Sequence, residues 1–94
     1  MSEPVPAFQQ KVLITNKRGL HARASAKFVT LASGQTCAVE VEKDGSKVAG
    51  TSIMGLMMLG AAMGDHVIIS AAGEGAEQAL TVLVDLVESK FGED

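Results

Sequence analysis

Two hydrophobic periods alternate along the chain. Residues 11–15 are rich in β-branched side chains and predict a strand. Across residues 22–31 and just beyond, Ala24, Phe28, Leu31 and Ala32 fall three and four apart, which predicts a helix with one inward face, closed by Gly34. Residues 16–20 are then the loop before it. Cys37, Val39 and Val41 alternate with Ala38, Glu40 and Glu42, the period of a strand with one wet face. Asp44-Gly45 is a hairpin signal leading into a strand at 47–50. Ser52 opens a short apolar helix that Gly60 ends, and residues 66–72 form a last strand. Ala76, Ala79, Leu80, Leu83, Leu86 and Val87 mark a terminal amphipathic helix.

The order β-α-β-β-α-β-α is an α+β chain, and apart from the hairpin its strand order cannot be read from periodicity. With 94 residues, 47% of them hydrophobic, the chain suffices for one modest core and not two. Residues 1–7, polar and holding both prolines, are expected to be a flexible arm, and residues 8–94 a single domain. A net charge of −3 and the lack of a basic stripe argue against a nucleic-acid partner. No apolar run approaches the roughly 20 residues of a membrane span, and the N-terminus lacks a signal pattern, so a cytoplasmic protein with no membrane insertion is expected. The single cysteine, Cys37, cannot pair within the chain and reads as a buried thiol. Two histidines and one cysteine do not make a recognisable metal site; His66 reads as a surface residue at a strand start.

The chemistry concentrates in Gly19, Leu20, His21, Ala22, Arg23, Ala24, Ser25 and Ala26, which set a histidine where a loop becomes a helix. The first N–H groups of a helix have no intrahelical acceptor and carry the positive end of its dipole, so they favour a phosphate or other anion. Arg23 adds a planar fork of donors suited to phosphoryl oxygens. Residues two apart inside a helix point to nearly opposite sides, so His21 must sit at the cap to share a ligand with Arg23. Gly19 supports a sharp turn just before it. A His-x-Arg this short fits ordinary surface residues as well, and Lys17, Arg18 and Lys27 nearby fit solvated charges as readily as a steering field for an anionic partner.

The stretch GLHARASA, residues 19–26, is similar to the active-site signature of the HPr family, histidine-containing phosphocarriers of the bacterial phosphoenolpyruvate-dependent phosphotransferase system. GTSIMGLMMLGAAMGD, residues 50–65, resembles that family's second signature. The resemblance runs from about Phe8 to the last helix. It implies an open-faced β-sandwich, a four-stranded antiparallel sheet with three helices on one face. It implies that His21 takes the phosphoryl group, on Nδ1, with Arg23 as its clamp, and that Ser52 is the regulatory serine phosphorylated in some bacteria. Such a protein is not an enzyme but a carrier transiently phosphorylated on histidine, a monomer with no bound cofactor or metal. Its partners would be enzyme I, enzyme IIA proteins and, where Ser52 is modified, an HPr serine kinase/phosphatase. Both the sugar branch and the nitrogen-related branch use this relay. One departure stands out: Ala24 occupies the place where the family usually has proline, which would fix φ in the first turn.

The short helix adds a surface. Ile53, Met54, Leu56, Met57, Met58 and Leu59 make it apolar on nearly every side, more than so short a helix can bury without a partner. Leu56 and Leu59 are assigned to the core, and Met54 and Met58, four apart, to the outward face. By the resemblance, Ile53, Met54, Met57 and Met58 are docking residues, and methionines repack easily against different partners. Ser52 is also a natural N-cap. Two other readings remain at this level: a regulatory docking module of the same fold that signals through Ser52 and residues 53–59 without onward transfer, and a small-ligand domain with an unrelated anion at His21.

Overall fold

Alternation of side chains decides the architecture, because it gives one sheet a dry face and a wet one. The structure, a computed structural model, describes residues 7–93. Strands β1 (Ala7–Leu13), β2 (Ala38–Lys43), β3 (Ser46–Ala49) and β4 (His66–Ala72) form an antiparallel sheet in the order β1-β4-β2-β3. The register sets Val12 against Val67, Val41 against Ile69 and Val39 against Ala71, and all six are buried. Glu40 and Lys11 point the other way and are exposed. Helices α1 (Ala22–Ser33), α2 (Ile53–Met58) and α3 (Ala76–Glu88) complete an open-faced sandwich. Helix α3 packs on β1 and β4, while α1 packs against both α2 and α3. Ile14, Phe28, Leu56, Ile69, Leu83 and Phe91 are the largest fully buried apolar side chains of this core, each contributing about 1.5–3 kcal/mol.

The expected elements are all present, with shifted ends. The first strand is Ala7–Leu13, not residues 11–15. Its ends follow the ladder to β4, from Ala7 opposite Ala72 to Leu13 opposite His66, so Gln9 and Gln10 are strand residues despite their weak β preference. Of the expected arm, residues 1–6 lie outside the described residues and Ala7 opens β1. Helix α1 runs on to Ser33 and buries Ala24, Ser25, Phe28 and Ala32, whereas Leu31 is only half-buried. Cys37 sits in the bend before β2, not in the strand, and is half-buried. Asp44 and Gly45, with φ of 50° and 86°, make the expected hairpin turn. On α3 the inward face includes Val84, and Leu86 is at its margin. Beyond α3 the chain turns once more at Lys90–Gly92 and returns Phe91 to the core, an element that no periodicity marks.

Candidate functional site

The loop before α1 is built from Asn16 and Gly19. Asn16 is fully buried, and its Nδ2 donates to Gly19 O at 2.8 Å while Gly19 N donates back to Asn16 O at 3.2 Å. Gly19 has φ +61°, and a Cβ there would fall 2.3 Å from Ala61 O, so both conformation and space require glycine. Leu20 N donates to the same Ala61 O at 2.9 Å, and Ser25 Oγ donates to Leu20 O at 3.2 Å. This clamped loop delivers His21 in extended conformation (ψ 178°) as the N-cap of α1, where the geometric argument required it.

His21 O accepts from Ser25 N, and among the described residues the amides of Ala22, Arg23 and Ala24 donate to no acceptor. They are the free donors of a helix start, beside the ring. The His21 side chain is 13% exposed, and its Nε2 lies 2.5 Å from Glu93 Oε2. The other carboxylate oxygen, Glu93 Oε1, accepts from Asn16 Nδ2 at 3.0 Å. Burial pushes the Glu93 carboxyl up, but the hydrogen bonds from Asn16 and His21 and the charges of His21 and Lys27 outweigh it and hold the group below its ordinary value. Lys27 Nζ donates to Phe91 O at 2.7 Å and ties the chain end to α1. Arg23, in the first turn, is exposed and makes no ion pair among the described residues.

Ser52 caps α2, its Oγ accepting from Gly55 N at 2.9 Å. Leu56 and Leu59 are buried, and Met54 and Met58 are the most exposed residues of this helix at 69% and 78%. Ile53 and Met57 are less exposed, at 42% each. The bond from Leu20 to Ala61 joins the His21 loop to the segment just after α2, which sets the apolar surface beside the histidine and leaves Ser52 at the helix's other end. Asn16 and Glu93 are site residues that sequence reasoning missed, since Glu93 is 72 residues from His21 and 77 from Asn16. The apolar Phe91 in an otherwise polar tail was the signal available. Among the described residues no cluster of metal-ligating side chains occurs, and no helix is long and apolar enough to cross a membrane.

The structure is thus a small open-faced sandwich with a histidine capping one helix and a short apolar helix linked to the histidine's loop. Residues 8–89 match the family model described as PTS HPr component phosphorylation site. The phosphocarrier protein HPr of Neisseria meningitidis is 47% identical over 85 residues, covering 90% of this chain and 96% of the relative. The crystal structure of HPr-C-His from Thermoanaerobacter tengcongensis superposes with a TM-score of 0.89 at 49% identity, covering 93% of this chain and 98% of that one. The HPr-like protein Crh of Bacillus subtilis is 45% identical over 82 residues, 87% of this chain and 96% of its own. The chain belongs to the HPr family of the phosphotransferase system.

Proposed function

We propose that His21 accepts a phosphoryl group from a phosphohistidine of enzyme I, ultimately from phosphoenolpyruvate, and passes it to enzyme IIA proteins. The observation that carries this reading is the placing of His21 as the N-cap of α1 beside the free amides of Ala22, Arg23 and Ala24. In the loose transition state of phosphoryl transfer, charge spreads over the equatorial oxygens, so positioning and fixed donors do most of the work. The helix amides and Arg23 supply those donors. Holding the group moderately serves a carrier, because it must also be released. Ile53, Met54, Met57 and Met58 present the docking surface to both donor and acceptors. Ser52 is a regulatory site as well as a cap: a phosphate there is tolerated by the helix N-terminus but charges the docking surface and repels acidic partners. The protein acts in the cytoplasm as a monomer, with residues 8–94 as one domain.

The test is incubation with enzyme I and phosphoenolpyruvate, followed by intact mass and a check that the added group is lost in acid and kept in alkali. An adduct absent from His21→Ala is the expected result. No adduct, with an enzyme I active on another carrier, overturns the reading. The similarity to the Crh protein supports a second reading, a docking module that acts through Ser52 and α2 without onward transfer. That module would bind its partner equally well as His21→Ala.

A further inference from the structure

We infer that Glu93 is a positioning residue for His21: its carboxylate holds the proton on Nε2 and leaves Nδ1 as the ring nitrogen free to take a phosphoryl group. The inference rests on the carrier reading and adds to it the group that decides which nitrogen reacts.

Three observations converge. First, Nε2 lies 2.5 Å from Glu93 Oε2, a contact that an ionised carboxylate can only accept, so the proton belongs on Nε2. The hydrogen bonds from Asn16 and His21, helped by the charge of Lys27, hold the Glu93 carboxyl below its ordinary value and support that state. Second, Asn16 presents its donors to Gly19 O and to Glu93 Oε1, and its own Oδ1 is buried with no partner among the described protein groups. The amide is turned with its donors toward the carboxylate although its oxygen goes unpaired. Third, the tail is anchored to reach the ring: Phe91 is 1% exposed, Lys27 Nζ holds Phe91 O, and Glu93 N donates to Lys90 O at 2.9 Å. Lys90 and Phe91 adopt φ of 59° and 56°, conformations unfavourable for side-chain-bearing residues, to make that turn.

Glu93 does not stand where the phosphoryl group would go. Its two oxygens are taken by Nε2 and Asn16, and the amides of Ala22, Arg23 and Ala24 receive neither. The step then balances simply. The Nδ1 lone pair forms the new N–P bond as the donor's N–P bond breaks and its electron pair returns to the donor nitrogen. The Nε2 proton stays between ring and carboxylate, and the positive charge that the ring gains faces Glu93. Release to an acceptor reverses each event.

Glu93→Gln makes the sharp test. Asn16 Nδ2 still needs an acceptor, so the glutamine oxygen turns to it and the glutamine NH2 faces His21 Nε2, which must then be unprotonated. The variant should invert the ring from Nε2–H to Nδ1–H, whereas Glu93→Ala merely removes the bias. Long-range 1H–15N spectra of the histidine ring, at a pH where it is neutral, read this without any partner protein. Transfer from phosphorylated enzyme I should fall about tenfold or more in Glu93→Gln, and less in Glu93→Ala, with thermal midpoints of the two variants alike. An Nδ1–H ring in the unsubstituted protein, an Nε2–H ring retained in Glu93→Gln, or inversion with an unchanged transfer rate would each overturn the inference. If the spectra invert and no form of the protein is ever phosphorylated, Glu93's hold on the ring stands while the carrier reading and the reacting-nitrogen assignment fail.

Discussion

Replacing Phe91 by alanine tests whether the chain end is part of the folded domain. The side chain is 1% exposed and packs at the end of α3. Emptying a rigid site of that size costs about 3–5 kcal/mol. This site is terminal, however, and the tail can let go. Release relaxes the left-handed conformations of Lys90 and residue 91, at φ 59° and 56°, which cost about 1 kcal/mol or more each. The net loss is then about 1–3 kcal/mol, and since 1 kcal/mol corresponds to roughly 4–8 °C in a domain this small, the midpoint should fall by about 5–20 °C. Thermal unfolding followed by circular dichroism measures it. In the same variant the ring spectra of His21 should lose their Nε2–H bias without inverting, because Glu93 leaves with the tail and no amide takes its place. A midpoint within about 2 °C of the parent, or an unaltered ring spectrum, would refute the reasoning that Phe91 anchors Glu93.

Other substitutions separate the remaining roles. Ser52→Ala removes the acceptor for Gly55 N and should cost about 0.5–2 kcal/mol in urea unfolding; a neutral result would mean that α2 does not need its cap. Arg23→Lys should slow phosphoryl transfer more than it weakens binding to enzyme I, since a lysine lacks the planar fork, and parental rates in both directions would remove Arg23 from the clamp. Met54→Glu should do the reverse, weakening binding in titration calorimetry while leaving the fold intact, because Met54 is 69% exposed. Acid should destabilise the domain through Glu93. Its carboxyl is held below the ordinary 4.5 in the folded state, so the unfolded chain binds that proton more readily. The stabilisation is full above the unfolded value and is lost as pH falls through the lower folded one. Glu93→Gln should flatten that part of a plot of midpoint against pH, and parallel curves would count against the assignment.

What was legible in the chain was what neighbours in sequence determine. Val39 and Val41 declare a half-buried strand through their alternation with Glu40, Asp44-Gly45 declares its turn, and Ser52 declares a cap because its acceptor serves an amide only three residues on. The choice of Leu56 and Leu59 as core, with Met54 and Met58 outward, needed only helical spacing. His21 at a helix start was likewise local, and its significance came from the resemblance. The ends of β1 were not local, since Gln9 and Gln10 are extended because β4 runs beside them. Asn16 fell at the start of the expected loop and accepts from Gly19 N there, yet its second side-chain hydrogen bond reaches across 77 positions. The chain end was the least legible part, because Lys90–Gly92 has no period, and a phenylalanine among polar residues says only that something is buried. Local sequence therefore finds His21 and its helix, which are made within one segment. It misses the Glu93 carboxylate bonded to that ring, because the contact exists only once α3 has packed on the sheet and carried the tail back to α1. The proposed choice between the two nitrogens of His21 is thus a property of the finished fold, while the placing of the ring at a helix start is written in the loop.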